Sequence, residues 1–334
     1  MTSKTILEIR DLSIIYQTKR GPLHAVSDVS FTVTDGMSMA LVGESGCGKT
    51  TLASAIVQAL PTAAKVTGGQ ILYMDEKGQE KVLLTMKDSE LRKILWDQVS
   101  MVFQASQSSF NPVKKISTQF YDTIRAHKSM SRKEMYKTSC KLLESVMLDA
   151  DRVLNAYPHE ISGGMKQRAL IALSMLLNPR LIILDEPTTA LDLLTQQKIL
   201  DLLRRMRKEK GYSLLFITHD LGIVSELADV VATMYAGHVV EKADVKTFFK
   251  NPVHPYSAGL IRAIPRLTTK NEDVVSIPGL PVDLIDVKPG CPFAPRCSRC
   301  VEICSSENPT LKEIGPGHLC ACWNPIHAGE EQHE

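Results

Sequence analysis

Gly43-Glu44-Ser45-Gly46-Cys47-Gly48-Lys49-Thr50 fits the pattern G-x-x-x-x-G-K-[ST]. It stands between a short apolar run, Met37–Val42, and a helical pattern that starts at Lys49 and ends near Leu60, before Pro61. Each residue type has a chemical reason at its place. Glycines let the backbone curl until successive N–H groups point inward, and the helix N-terminus behind them adds partial positive charge, so the turn cradles phosphate. Lys49 can reach terminal phosphates as a point charge, and the Thr50 hydroxyl is placed to ligate Mg²⁺. The Cys47 side chain reads as filler within the loop. Strand, glycine loop and helix in this order open a parallel α/β unit.

A phosphate cradle with a metal needs carboxylates. Leu181-Ile182-Ile183-Leu184-Asp185-Glu186 supplies them as a buried strand ending in two acids. Asp185 at the strand end would hold Mg²⁺, directly or through water, and Glu186 would polarise the attacking water as general base. Upstream of the loop, Ile6–Ile9, Leu12–Tyr16 and Val29–Val33 read as short strands, with turns at Gly21-Pro22 and Asp35-Gly36. Between Val113 and Asn155 apolar positions recur at helical spacing, and Ser131 with Glu134 makes a capping box, so a mostly helical subdomain is inserted into the α/β core. The α/β rhythm then returns: strand Leu181–Leu184, helix Leu193–Lys208, strand Ser213–Ile217, helix Leu221–Leu227 and strand Val230–Met234, with Gly237 turning into His238–Lys242. From Asn251 onward Pro252, Pro255, Pro265, Pro278, Pro281, Pro289 and Pro292 mark a boundary and predict an extended appendix rather than more sheet.

Length and composition agree with that division. A chain of 334 residues suits one large domain plus a smaller one. With 44% hydrophobic and 23% charged residues, it is neither disordered nor fibrous in composition. A net charge of +2 argues for neither a dominant nucleic-acid footprint nor an acidic partner. No stretch approaches the roughly 18 apolar residues of a spanning helix, and no apolar secretion signal follows Met1-Thr2-Ser3-Lys4. The expectation is a cytosolic chain whose membrane role, if any, comes through a partner. Of the 8 cysteines, Cys47 and Cys140 are isolated, whereas Cys291, Cys297, Cys300, Cys304, Cys320 and Cys322 crowd together. In a cytosolic protein such a crowd more often binds metal than forms disulfides.

Between the two phosphate elements lies Ile161-Ser162-Gly163-Gly164-Met165-Lys166-Gln167-Arg168, which resembles the LSGGQ signature of the ATP-binding cassette family. Ile161 and Met165 depart from it, and Met at that position is frequent in the family's peptide-transporter branch. A Ser-Gly-Gly turn before a helix is itself an anion site. One domain has no evident need of two such sites, but two subunits packed head to tail do, because each turn then covers the ATP held by the other. The resemblance implies a P-loop NTPase cassette over residues 1–250, with a RecA-like core, an antiparallel β subdomain and a helical subdomain at about 113–165. It places ATP and Mg²⁺ against Gly43, Ser45, Gly46, Cys47, Gly48, Lys49, Thr50 and Thr51, with Tyr16 stacked on adenine. Gln104, in Val102-Phe103-Gln104, falls where the family touches Mg²⁺ and water and senses the membrane partner. Ala190-Leu191-Asp192 matches the loop that crosses between subunits, with Asp192 in the nucleotide set, and His219 matches the histidine that contacts the γ-phosphate and orients Glu186.

The tail, 251–334, resembles a narrower group. Asn251-Pro252-Val253-His254-Pro255-Tyr256, Ile277-Pro278-Gly279 and Gly290-Cys291-Pro292-Phe293-Ala294-Pro295-Arg296-Cys297 look like the oligopeptide/dipeptide importer ATPases, and nickel importers share these features. This implies that Cys291, Cys297, Cys304 and Cys322 ligate a [4Fe–4S] cluster in a small iron–sulfur extension. The residues alone leave zinc open: four thiolates suit either group. Structural zinc favours cysteines about two to four residues apart. Cys291 and Cys297 are wider than that, yet Cys297, Cys300 and Cys304 could form part of a zinc site, and Cys320 is a spare. The implied role is the ATP-hydrolysing subunit of an importer for di- or oligopeptides, nickel chelates or oligosaccharides. It would sit peripherally at the cytoplasmic face of the plasma membrane. Its implied partners are a related, non-identical ATPase chain, two transmembrane permease subunits and an extracytoplasmic substrate-binding protein, with no nucleic acid. The competing readings are a soluble cassette ATPase with a metal cluster, acting in nucleic-acid processing or cluster assembly, and a regulatory module that binds ATP without hydrolysis.

Overall fold

The computed structural model describes residues 4–104, 109–189, 191–264 and 277–327. Its contacts divide the chain into two compact units. One comprises Met1–Ile6, Val33–Ser38 and Met74–Ile217, the other Leu7–Thr32, Met39–Tyr73 and Thr218–Glu334.

In the first unit the strands Val99–Val102, Leu181–Asp185 and Ser213–Ile217 run parallel, Met101 opposite Ile183 and Ile183 opposite Leu215. Every residue in them is buried. Their continuous apolar runs, rather than alternating ones, are what a parallel sheet covered on both faces requires. The helices Ile116–His127, Arg132–Ser145, Ala150–Asn155 and Gly163–Ser174 follow the expected helical stretch and extend beyond it. Ile116, Phe120 and Ile124 are buried on one helix, and Met135, Ser139 and Leu143 on the next, each set at the four-residue spacing that makes one face. The capping box is formed. Ser131 Oγ accepts from Glu134 N at 3.3 Å, and Glu134 Oε2 accepts from Ser131 N at 2.8 Å. The helix Leu193–Lys210 outlasts its predicted end by two residues, until Gly211 turns left-handed at φ 71°.

In the second unit the predicted strands Ile6–Ile9 and Leu12–Tyr16 belong to one continuous strand, Thr5–Thr18, antiparallel to Ala64–Met74. The apparent gap is a bulge: the register shifts between Arg10 and Ile14, and Asp11 sits at φ 47°. The partner strand accommodates it with Gly69, where a Cβ would stand 2.4 Å from Asp11 O. The predicted turn at Gly21-Pro22 is also displaced. Strand Gly21–Thr34 already begins at Gly21, on the outside of this sheet, where a proline is tolerated near the strand start.

Ser38–Val42 pairs in parallel with Val230–Tyr235, Val42 opposite Thr233. Val230–Tyr235 continues into His238–Asp244 as a hairpin. Its two turn residues, Ala236 and Gly237, lie at φ 48° and 83°, the conformation that fits the strand twist. The helix after the glycine loop runs only Lys49–Ile56, short of the expected Leu60. Gln58 turns left-handed and Ala59 N bonds back to Ser54 O at 2.8 Å, closing the helix before Pro61 has any say.

The proline-rich tail corrects a further expectation: it does add sheet. His318–Cys320 pairs antiparallel with His238–Asp244, Glu241 opposite Cys320, and Lys312–Gly315 pairs beyond it. Pro316-Gly317 is the turn of that hairpin rather than a break in it. The tail is tied down chemically as well. Glu241, 0% exposed, accepts from Val253 N and His254 N, both at 3.0 Å, and faces His318 Nε2 at 2.7 Å. Such donors are what make a buried carboxylate tolerable. Phe293 packs its ring against Tyr235 and Tyr256, centroids 5.2 and 5.4 Å away. Among the described residues no helix is long and apolar enough to cross a membrane.

Candidate functional site

The glycine loop leaves strand Ser38–Val42 and enters helix Lys49–Ile56 through backbone that only glycine fits. Gly43 lies at φ 146° with a Cβ position 2.2 Å from Met234 O, and Gly48 at φ 105° with one 2.1 Å from Ala25 O. Gly46, at φ 81°, has open space beside it. Gly48 occupies the helix N-cap without a side-chain cap, so the first N–H groups of the helix keep their donors toward the loop. Lys49 is buried, and its Nζ donates to Gly43 O at 2.7 Å, Glu44 O at 2.8 Å and Cys47 Sγ at 3.3 Å. The lysine thereby ties both ends of the turn together. Cys47 is buried and its thiol pKa is raised by that burial, Lys49 offsetting part of the effect, which suits packing rather than reactivity. Tyr16 joins the loop at its helix end, its hydroxyl 3.1 Å from Thr51 Oγ1. Thr50 is exposed on the first helical turn and Ser45 on the loop.

His219 belongs to the same unit as the loop. It is exposed, one residue beyond Thr218, whose amide donates to Leu41 O at 3.4 Å and whose hydroxyl accepts from Asp220 N at 3.0 Å. Asp220 then caps helix Leu221–Leu227, so the histidine stands at a strand-to-helix corner pinned on both sides.

The other unit carries the carboxylates. Asp185 ends its strand fully buried. Glu186 follows at φ 49°, a left-handed conformation rare for a side chain of its kind, with its amide bonded to Ile217 O at 2.9 Å and its Oε2 accepting from Thr189 Oγ1 at 3.0 Å. Gln104 is exposed just past strand Val99–Val102. Ser162 is the N-cap of helix Gly163–Ser174, its Oγ accepting from Met165 N at 3.3 Å, with Gly163 and Gly164 on the first turn. A Cβ on Gly164 would come within 3.3 Å of Leu191 Cδ2. Asp192 caps helix Leu193–Lys210, accepting from Thr195 N at 2.9 Å and Thr195 Oγ1 at 2.7 Å. Ala190, named with it, lies outside the described residues.

The expected metal centre is not present as a ready-made cage: among the described residues no group of three or more His, Cys, Asp or Glu could hold a metal ion. All the cysteines are free. The thiols nevertheless influence one another electrostatically. Burial pushes the Cys322 thiol up to about 12, and Cys297, Cys291 and Cys304 add to the shift. Burial likewise pushes Cys297 up to about 11, helped by Cys291, Cys300 and Cys304. Gly290, at φ 98°, lets Cys291 N bond Cys304 O at 2.8 Å, because any Cβ there would meet Cys304 O at 2.4 Å. Cys320 is driven up by burial and by Glu241. These couplings place the thiols within electrostatic reach of one another, but among the described residues they do not form a group that could hold a metal ion, so the expected iron–sulfur centre is not borne out by the geometry.

Residue reading missed one feature of the loop. Arg296 of the tail reaches Glu44 with both Nη atoms, at 2.7 and 2.9 Å, and Glu44 N donates to Tyr256 Oη at 2.7 Å. These partners are 252 and 212 positions apart, and no local pattern signals such a pairing.

A lysine-tied glycine loop before a helix, a buried aspartate followed by a constrained glutamate, and a capped Ser-Gly-Gly turn define a P-loop ATPase of the cassette class. The comparisons agree. The family described as ABC transporter matches residues 26–189, and that described as oligopeptide/dipeptide transporter, C-terminal region, matches 240–304. The oligopeptide transport ATP-binding protein OppD of Salmonella typhimurium is 39% identical over 325 residues, covering 97% of this chain and 95% of its own. The dipeptide transport ATP-binding protein DppD of Caldanaerobacter subterraneus subsp. tengcongensis is 42% identical over 319 residues, covering 95% and 96%. Among solved structures, the dimeric post-hydrolysis state of the ATP-binding cassette MJ0796 bound to ADP and Pi superposes with a TM-score of 0.64 at 27% identity, covering 72% of this chain and 99% of that one. The chain belongs to the ABC transporter family, in its oligopeptide/dipeptide branch, and is an ATPase.

Proposed function

We propose that this chain hydrolyses ATP to drive import of di- or oligopeptides, as a peripheral subunit at the cytoplasmic face of a membrane transporter. What carries the reading is similarity that runs through both the cassette and the tail, to proteins named for oligopeptide and dipeptide transport. The proposed partners are a related cassette chain, two permease subunits and an extracytoplasmic binding protein. The near-neutral charge offers no footprint for nucleic acid.

In the proposed mechanism, Gly43–Thr51 wraps the phosphates, Lys49 exchanges loop carbonyls for phosphate oxygens, and Tyr16 stacks on adenine. Thr50, Gln104 and Asp185 are the residues suited to Mg²⁺, which supplies charge neutralisation when bound. Glu186 takes a proton from water as its oxygen bonds to the γ-phosphorus and the bond to the β–γ bridging oxygen breaks, releasing ADP and phosphate. His219 orients that carboxylate. Ser162, Gly163, Gly164 and Asp192 close over the nucleotide of the partner cassette, the Ser-Gly-Gly turn offering its helix N-terminus to phosphate.

Cys291, Cys297, Cys304 and Cys322 are the residues that would hold a [4Fe–4S] cluster in a structural role, a reading that rests on the resemblance of the tail and on the coupling between these thiols. Anaerobically purified protein should then be brown, absorb near 400 nm and contain iron, whereas colourless protein with stoichiometric zinc would discard the cluster. The transport reading is tested by co-purification with the permeases and by stimulation of phosphate release when peptide-loaded binding protein is added. Failure of both would reject it.

A further inference from the structure

Glu44 carries a carboxylate into a turn built for anions, and the fold answers it from the tail. Arg296 Nη1 donates to Glu44 Oε2 at 2.7 Å and Nη2 to Oε1 at 2.9 Å, a bidentate pair. The arginine side chain is 5% exposed and the glutamate 25%. Arg296 has little freedom to leave. Its Nε donates to Pro278 O at 2.7 Å, its Nη1 to the Tyr235 hydroxyl at 3.3 Å, and its guanidinium lies 5.7 and 5.9 Å from the Tyr235 and Phe293 ring centroids. Glu44 is also held by its backbone, its amide donating to Tyr256 Oη at 2.7 Å and its carbonyl accepting from Lys49 Nζ at 2.8 Å. Tyr256 itself is fully buried, so its hydroxyl is a fixed point rather than a swinging one.

Two physical consequences follow for a triphosphate. An unpaired carboxylate in the loop would repel it at short range, in a setting only partly screened by water. A loop whose second residue could rotate would also have to be ordered at each binding event, at an entropic cost that a braced loop avoids. We propose that Arg296, seconded by Tyr256, is a positioning residue for nucleotide: it neutralises Glu44 and fixes the curl of the phosphate loop from the C-terminal tail. The assignment rests on the reading above that this loop binds ATP.

The test is equilibrium binding of a fluorescent ATP analogue to the full chain, with KM and kcat for phosphate release. Arg296→Gln leaves a charge without its partner, and the dissociation constant should rise about tenfold or more. KM should rise with it while kcat changes little, because the brace acts before the chemistry. Glu44→Gln removes the offending charge while leaving an amide oxygen for the arginine to donate to, so it should weaken binding less than Arg296→Gln does; in the double variant, binding should return most of the way toward that of Glu44→Gln alone. An arginine that holds the tail without acting through Glu44 predicts no such rescue. Arg296→Lys keeps charge and stem but loses the fork, so an intermediate rise is expected, and this variant decides the matter if Arg296→Gln does not fold. Wild-type affinity in the folded arginine variant, or a double variant as weak as Arg296→Gln, overturns the proposal. Failure of the wild-type chain to bind the analogue, or indifference to Lys49→Ala, would instead overturn the ATP-site reading.

Discussion

Glu186 illustrates how one residue can be read from sequence and yet be shaped by something the sequence hides. Its chemistry is legible, a carboxylate just past a buried strand; its backbone is not. At φ 49° it holds a conformation that side-chain-bearing residues reach at a cost of about 1–3 kcal/mol, and the amide bond to Ile217 O keeps it there. Strain of that kind is worth maintaining where a side chain must be presented at a fixed angle. Glu186→Gln keeps the shape and removes the base, so the variant should still bind ATP while phosphate release falls roughly 10²–10⁴-fold. Unchanged turnover would take Glu186 out of the mechanism. Lys49→Ala should act on the other parameter. Its ammonium now spans the Gly43 and Glu44 carbonyls, and its loss removes both a phosphate contact and the tie across the turn, so titration with nucleotide should show much weaker binding.

Helix and strand ends decide how these residues are presented. Asp192 caps Leu193–Lys210, and its bonds from the Thr195 hydroxyl and amide hold its carboxyl below the usual carboxylate range. A group with a depressed folded pKa adds stability above its unfolded value, about 3.9 for aspartate, and that contribution disappears as pH falls through the folded value. Asp192→Asn should therefore lower the melting temperature near pH 7, and that deficit should shrink as pH falls below about 4; a deficit that does not change with pH would deny the cap any charge component. Ser131→Ala, which breaks the capping box of Arg132–Ser145, should cost about 1 kcal/mol in urea unfolding. The phosphate-loop glycines answer to a harder constraint. At Gly48 a methyl would stand 2.1 Å from Ala25 O, backbone that cannot step aside cheaply, so Gly48→Ala should abolish nucleotide binding even where the chain still folds. The motif predicted a glycine at this place; the carbonyl it must clear belongs to a strand that no loop pattern mentions.

Across the whole chain, the readable part of the sequence was whatever local period or spacing determines: the buried parallel strands, the capped helices, the glycine loop with its lysine. Pairings between distant segments stayed hidden. The bulge at Asp11 looked like two strands because Gly69, its counterpart, is far along the chain. Prolines read as excluding sheet from the tail, yet Pro316-Gly317 serves as the turn that adds two strands. Glu241 shows the same thing most sharply. In sequence it is one acid in a short strand; in the fold it is wholly buried and gathers Val253 N, His254 N and His318 Nε2. Removing that acceptor strands two backbone donors and a histidine in a place that water does not reach. Glu241→Gln keeps the volume but turns a donor toward donors, so stability should fall by about 1–3 kcal/mol. The loss should be uneven if the carboxylate is what staples the tail. Limited proteolysis followed by mass spectrometry should show faster cleavage within 290–327 before the parallel strands of the other unit are cut, and Phe293→Ala should add to the effect by removing the ring that packs on Tyr235 and Tyr256. Equal protection of the tail in Glu241→Gln and wild type would mean that the aromatic cluster alone holds it, and the buried carboxylate would then need another reason to be there.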